Sequence, residues 1–283
     1  MSEQTREPGT ILVATDGSRL AQATANFAID LAQRENLKIH GLYVVDEVLV
    51  LDGYINYQAE LGKEIPKKSN IKLVEMFEEQ GTAAIQWLEE RCLDAGVPVT
   101  SEMLFGGVAE SIVEGARQVE ILALGRRGHG HSDSPGRLGR MFRTIAHRSA
   151  APYLVGGDVV RPVKRLLLGY DGTEKAKRAL SWAARFQQDF NCETLVVSVA
   201  QEVQSQRDWL SEMRADVEAG DLVNYRFIIR EGEPANEIAA VAEENQVDFV
   251  VVGRYQHSAL VDWLTGSNLD RILRQSPLPI FAA

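Results

Sequence analysis

The same order of motifs occurs twice along this chain of 283 residues, and no other sequence feature constrains its fold as strongly. An apolar run that ends in Asp-Gly and a hydroxyl residue occupies residues 11–18 and returns at residues 166–173. Glycine-led segments that open a helical pattern follow at residues 106–112 and 232–238. Because self-similarity over such a length indicates a copied structural unit, the sequence predicts two tandem domains of the same fold.

Each copy alternates short, continuously apolar segments with segments of helical spacing. Continuous apolar strands are typical of parallel sheets covered on both faces, and their alternation with helices indicates βαβ units. We therefore predict the α/β fold class, with two tandem doubly wound parallel-sheet domains. Glycine and proline interrupt the apolar pattern near residues 156–164, which places the predicted domains at residues 1–157 and 158–283.

The first half of the chain is longer than the second. Between corresponding positions, 109 steps separate Asp16 from Gly125, whereas 82 steps separate Asp171 from Gly253. We assign the extra segment to about residues 46–80 and expect it to be irregular, ahead of a long helix. The segment is interpreted as a surface excursion, with a lid or a partner-contact segment as the alternative.

Composition argues against several classes of protein. The chain has 30 Lys and Arg against 40 Asp and Glu, a formal net charge of −10, which argues against a protein that coats nucleic acid. Its two cysteines are too few for a disulfide framework, favour a reducing compartment and are expected to pack rather than react. No apolar run approaches the roughly 18 residues of a spanning helix. We expect a cytoplasmic protein without a nucleic-acid or membrane partner.

Ligands of open α/β sheets bind at the carboxyl ends of the strands, so the loops after Gly125 and Gly253 are candidate sites. Six arginines and one acidic residue lie between Arg126 and Arg148. Because glycine-rich backbone and free amides at a helix start attract anions, this pattern favours an anion site in the first half. The alternative is a solvated basic face. The loop of the second half keeps a hydroxyl residue at its helix start but carries less positive charge.

These loops and strand ends resemble the universal stress protein family, as two such domains fused in one chain. The family pattern is Gly, two residues, Gly, nine residues, Gly and then Ser or Thr, preceded by an Asp at the end of the first strand. The first half has ten residues between its last two glycines and an arginine for the hydroxyl residue, whereas the second half has a glutamine for the middle glycine. The first-half positions are Gly125, Gly128, Gly139 and Arg140. The second-half positions are Gly253, Gln256, Gly266 and Ser267.

The resemblance implies a Rossmann-like fold of the adenine nucleotide alpha hydrolase type that binds ATP, with Mg²⁺ held through the phosphates. Adenine is expected beside the first-strand Asp and the end of the second strand, and the phosphates on the glycine loop. The implied first-half positions are Ala14, Thr15, Asp16, Val44, Gly125, Arg126, Gly128, Gly139 and Arg140. The implied second-half positions are Gly169, Tyr170, Asp171, Val199, Gly253, Gly266 and Ser267.

The resemblance also implies dimerisation through the last strand of the domain. Residues 153–155 and 280–281 are therefore expected to pair within this chain, as an internal pseudo-dimer. A further homodimer and a protein partner stay open.

We predict a nucleotide-binding stress or regulatory protein in which ligand occupancy tunes conformation or partner binding. No catalytic residue and no metal ligand is assigned, and slow ATP hydrolysis is the most turnover expected. His129, His131 and Asp133 have the spacing of a hydrolase metal motif, but Ser134 stands where that motif needs a histidine. Two alternatives stay open: a scaffold with degenerate pockets that acts through its surfaces, and a small-molecule or lipid-binding protein.

Overall fold

The computed structural model describes residues 9–47, 67–126, 138–157, 161–200, 207–254 and 268–283. The chain forms two compact units, one of residues up to Arg126 together with Gly139–Ala151, and one from Pro152 to Ala283. The domain boundary between residues 157 and 158 stays a prediction. Among the described residues, no helix combines the length and the apolar character needed to cross a bilayer.

The described part of the first unit contains parallel strands in the order β3-β2-β1-β4. Its strands are β1 (Thr10–Ala14), β2 (Lys38–Asp46), β3 (Val99–Gly106) and β4 (Ile121–Leu124). Its helices are α1 (Arg19–Glu35), α2 (Lys67–Asp94), α3 (Val108–Gly115) and α4 (Arg140–Arg148), with a short 3₁₀ turn at Ala116–Gln118. β1 therefore lies between β2, which follows it in the chain, and β4, which is reached later.

The long helix expected after the irregular stretch is α2, which begins at Lys67, inside the segment assigned to residues 46–80. Phe77 and Ile85 of α2 pack against the core cluster that includes Tyr43. The assignment of the extra residues to 46–80 stays a prediction. Residues 48–66 lie outside the described residues.

The described part of the second unit has the strand order β5-β10-β9-β6-β7-β8, in which β5 is antiparallel to β10 and the other pairs are parallel. Its strands are β5 (Tyr153–Val155), β6 (Arg165–Gly169), β7 (Glu193–Ala200), β8 (Tyr225–Glu231), β9 (Phe249–Val252) and β10 (Ile280–Ala282). Its helices are α5 (Glu174–Phe190), α6 (Arg207–Glu218), α7 (Pro234–Glu244) and α8 (Asn268–Gln275).

The two last-strand segments named from the sequence pair with each other inside the second unit. Leu154 of β5 lies opposite Phe281 of β10, and Val155 lies opposite Ile280. The arrangement of the whole chain as an internal pseudo-dimer stays a prediction.

Strand order confirms the predicted fold class of alternating strands and helices on mostly parallel sheets. In the first unit β1 lies between β2 and β4, and in the second unit β6 lies between β7 and β9. In each unit the next two strands of the chain are added on one side of β1 or β6, and the strand after them is added on the other side. Such a reversal of strand order opens a crevice at the carboxyl ends of the strands, where ligands of this fold class bind.

Both cysteines are buried within their units. Burial raises the pKa of the Cys92 thiol and of the Cys192 thiol to about 11. Because the thiolate is the nucleophile, this environment favours a packing role for both side chains.

Candidate functional site

The end of the first strand is followed by the same hydrogen-bonded turn in both units. Asp16 Oδ1 accepts the backbone N–H of Ser18 at 3.0 Å, and Asp171 Oδ1 accepts that of Thr173 at 3.1 Å. Ser18 and Thr173 are in turn the N-caps of α1 and α5. The two aspartates named from the sequence therefore form the turns that begin a helix at the carboxyl edge of each sheet.

A glycine in the left-handed region completes each of these turns. Gly17 has φ of 76° and Gly172 has φ of 75°, a conformation that favours glycine. In the second unit a Cβ atom at Gly172 would also displace the end of the Met213 side chain of α6. The Asp-Gly pair recognised in the sequence is thus required by backbone geometry in both halves.

The predicted first-half residues at the ends of β1 and β2 lie side by side. Ala14 ends β1, and the N–H of Thr15 donates to the carbonyl of Leu42 on β2 at 3.0 Å. Val44 lies two residues further along β2 and is half-buried. Burial, and secondarily the charge of Asp16, raises the pKa of the neighbouring Tyr43.

The two ends of the arginine-rich loop are joined in the first unit. The N–H of Gly139 donates to the carbonyl of Arg126 at 3.0 Å, which brings Gly125 close to the start of α4. Arg126 is only 5% exposed, whereas Arg140 is exposed at the first position of α4. Residues 127–137, which include Gly128 and the histidine pair, lie outside the described residues.

A cleft of about 230 Å³ lies at the carboxyl edge of the sheet in the second unit. It occupies the point where β6 lies between β7 and β9. The predicted residues that line it are Gly169, Tyr170, Asp171, Val199 and Gly253. The other two predicted positions of this half, Gly266 and Ser267, lie outside the described residues.

Sequence reasoning missed the rest of the cleft lining, which comes from α5, α7, α8 and the ends of β7 and β9. These residues are Thr173, Lys175, Ala176, Val197, Pro234, Ile238, Val252, Arg254, Leu269 and Ile272. One signal was available, because Pro234 and Ile238 belong to the repeated glycine-led motif that opens α7. Leu269 and Ile272 of α8 carry no comparable sequence signal.

Tyr170 connects the cleft to helix α6. Its side chain is 2% exposed, and its hydroxyl donates to Asp216 Oδ2 on α6 at 3.1 Å. Its backbone carbonyl accepts the hydroxyl of Ser198 on β7 at 2.8 Å. Burial first, and then the hydrogen bond to Asp216, raises the pKa of Tyr170 well above the ordinary tyrosine value.

Among the described residues that line the cleft, two are cationic and one is acidic. Lys175 lies in the first turn of α5, and Arg254 follows the end of β9. The Arg254 guanidinium lies 5.7 Å from the ring centroid of Tyr153, and burial lowers the pKa of Arg254. Asp171 carries the acidic group.

The comparison of this sequence with known families agrees with the repeated architecture. The sequence profile of the universal stress protein family matches residues 8–155 and again residues 162–282. The chain belongs to the universal stress protein family. Because the profile matches twice, it is a tandem universal stress protein.

Other universal stress proteins match this one along its length. A universal stress protein of Synechocystis sp. is 23% identical over 95% of this chain and 98% of its own. The crystal structure of a universal stress protein from Archaeoglobus fulgidus has a TM-score of 0.77 and 20% identity, covering 98% of this chain and 99% of that one. The second likeness shows that the two share a fold over the whole chain.

The crystal structure of one universal stress protein is of a complex with cAMP. That protein covers 44% of this chain and 98% of its own, with 20% identity and a TM-score of 0.39. That observation concerns the crystallised protein.

The Tyr170 environment predicts a pH dependence for the stability of this universal stress protein. In the unfolded chain the phenol ionises near its ordinary pKa of about 10, whereas in the folded chain it stays protonated at higher pH. The stability that Tyr170 contributes is therefore complete below about pH 10 and is lost as the pH rises above it. We expect Tyr170→Phe to lower the free energy of unfolding by about 1 kcal/mol at pH 8. Between about pH 10 and 11 the free energy of unfolding of the variant should fall less steeply with pH than that of the wild type. Urea unfolding at a series of pH values measures both effects. Parallel profiles for the two proteins would contradict the prediction.

Among the described residues, no group of three or more His, Cys, Asp or Glu side chains is arranged to hold a metal ion. The Mg²⁺ expected through the phosphates of a nucleotide stays a prediction.

Proposed function

We propose that this universal stress protein binds adenine nucleotides in the cleft of its second unit, with ATP as the ligand that the family resemblance implies. The position of the cleft carries the proposal. It lies at the carboxyl edge of a parallel sheet, where strand order reverses between β9 and β7, and five residues named from the sequence line it. The default binding site of a fold of this class is such a concave edge with a few convergent polar groups.

The lining of the cleft suits the parts of a nucleotide. Val197 and Val199 share one face of β7 and, with Ile238, offer apolar contacts for a purine ring. Lys175 and Arg254 offer positive charge to a phosphate group. Mg²⁺, when bound, would supply charge neutralisation at the phosphates, and no protein ligand to it is assigned.

We infer that occupancy acts through conformation and not through turnover. Gly169, Tyr170 and Asp171 line the cleft, and the Tyr170 hydroxyl donates to Asp216 on α6. A ligand that moves this turn therefore changes the contact that holds α6. The surface around α6 is then the part of the second unit that changes when the ligand binds, and it is the surface that a protein partner would recognise.

Calorimetric titration of the purified full-length chain with ATP and Mg²⁺ tests the proposal. We expect saturable binding, accompanied by slower amide exchange at residues 169–176 and in α6. Exchange by mass spectrometry locates the site because each unit contributes separate peptides.

Two results would overturn the proposal. One is the absence of binding heat and of any change in exchange at millimolar nucleotide. The other is protection confined to the first unit, at residues 14–16 and 125–140, which would move the site to the first half.

A further inference from the structure

One ion pair joins two helices that both line the second-unit cleft. Nη1 of Arg271 on α8 lies 2.9 Å from Oε1 of Glu233, the residue that directly precedes α7. Pro234 lines the cleft from α7, and Ile272 lines it from α8. Each partner of the pair is therefore the chain neighbour of a residue in the cleft wall. We call this contact the α7–α8 ion pair.

The acidic partner of the pair is held in place by its own surroundings. The N–H of Gly232 donates to the carbonyl of Ala200 at the end of β7, at 3.1 Å. Oε2 of Glu233 accepts the N–H of Asn236 at 3.1 Å and so caps α7. The other carboxylate oxygen, Oε1, is shielded from solvent and lies against Arg271. Glu233 is thus an anchored anion, and a shielded carboxylate oxygen is stabilised by a cation beside it.

The basic partner belongs to a short helix whose position depends on its contacts. Helix α8 has eight residues, and a helix of that length is not stable in water by itself. Leu269, Ile272 and Leu273 are buried and give α8 an apolar face, but apolar burial is not directional. The ion pair of Arg271 supplies a directional contact, which fixes α8 relative to the start of α7.

The first unit joins the corresponding helices in a different way. Nη1 of Arg148 on α4 lies 2.6 Å from Oε1 of Glu110 on α3. Arg148 is the last residue of α4, whereas Arg271 is the fourth residue of α8. Both units therefore connect these two helices by an ion pair, and the first-unit pair provides a matched control.

We propose that Glu233 and Arg271 are positioning residues for the second-unit cleft, which hold α8 against α7 in the arrangement that binds nucleotide. Neither residue is among the described residues that line the cleft, so they act through the wall and not on the ligand. This inference rests on the proposed function. Because apparent affinity falls with the fraction of molecules in the competent arrangement, loss of the pair weakens binding.

Calorimetric titration of full-length Arg271→Met with ATP and Mg²⁺ tests the arginine. Both side chains are partly exposed, 48% for Arg271 and 31% for Glu233, so the expected loss is moderate, about fivefold in affinity. Arg271→Lys keeps the charge and should recover most of the affinity. Arg148→Met removes the pair of the first unit and should leave ATP affinity unchanged.

Glu233→Gln tests the other partner without removing the helix cap, because the amide oxygen still accepts the N–H of Asn236. We expect a loss similar to that of Arg271→Met. The double variant should lose no more than either single variant, since both substitutions remove the same contact.

Amide exchange of the nucleotide-free chains separates positioning from direct ligand contact. Arg271→Met and Glu233→Gln should exchange faster than wild type in α8 and at residues 234–238, with no change in the first unit. An arginine that contacts only the ligand would leave the exchange of the free chain unchanged.

The outcomes distinguish this inference from the proposed function. If folded Arg271→Met and Glu233→Gln chains bind ATP within twofold of wild type, the positioning role is wrong and nucleotide binding stands. If affinity falls but exchange in the free chain does not change, the role is also wrong, because Arg271 then acts on the ligand itself. If ATP fails to bind the wild-type chain, the proposed function fails and this inference fails with it.

Discussion

Replacing Val199 by tryptophan is expected to reduce nucleotide affinity by about 100-fold or more while the chain stays folded. Val199 lines the cleft near the end of β7, two residues beyond Val197, and its side chain is half-buried. An indole at this position extends into a space of about 230 Å³ and removes the room for a purine ring. Because the side chain already faces the cleft, the larger group does not have to be forced into the packed core.

Two matched variants make this result specific. Val223→Trp introduces the same side chain at a position that is 81% exposed, and it should leave affinity unchanged. Val44→Trp makes the corresponding change on β2 of the first unit. Calorimetric titration of all three proteins, with thermal melts to verify folding, measures the difference. Undiminished binding by a folded Val199→Trp chain, or loss of binding only in Val44→Trp, would contradict a site in the second unit.

The turns that position the candidate site could be predicted because their causes are local. An aspartate two residues before the capping residue offers a carboxylate oxygen to its N–H, and the intervening glycine takes the left-handed conformation. Both requirements are met by three consecutive residues, and the repeat shows them twice. The predicted strand ends therefore lie together at the carboxyl edge of each sheet.

The walls of the cleft could not be predicted in the same way. Ile238 and Ile272 line it from two helices that lie far apart in the chain and come together only when β9 and β10 join the sheet. Their apolar spacing is that of any core-facing helix, so the sequence does not distinguish a cleft wall from packed core.

Charge along the sequence and the described cleft lead to different halves of the chain. The count of arginines after Gly125 favours an anion site in the first half, which stays a prediction. In the second half two cations separated by 79 positions, Lys175 and Arg254, line the same cleft. Counting charges along the sequence finds residues that are close in the chain, whereas a ligand contacts residues that are close in space.

The aromatic cluster of the second unit leads to the largest stability effect that we expect. Phe186 of α5 is fully buried, and its ring centroid lies 5.5 Å from that of Trp182, 5.4 Å from that of Phe249 and 4.9 Å from that of Phe281. It thereby joins α5 to β9 and β10. Phe186→Ala removes the central ring and leaves a cavity, which should lower the free energy of unfolding by about 3–5 kcal/mol.

Urea unfolding monitored by tryptophan fluorescence measures this loss, since Trp182 lies in the cluster. Phe105→Ala is the matched control, because Phe105 is 57% exposed at the end of β3 in the first unit, and its loss should change stability by no more than about 0.5 kcal/mol. Equal losses in the two variants would contradict the role of Phe186. Since Lys175 and Val252 line the cleft from α5 and β9, the same experiment connects core packing to the site. A nucleotide at about 100 times its dissociation constant should stabilise the wild-type transition of the second unit by about 2.7 kcal/mol, and by less in Phe186→Ala, because a loosened α5 no longer holds the cleft in one arrangement.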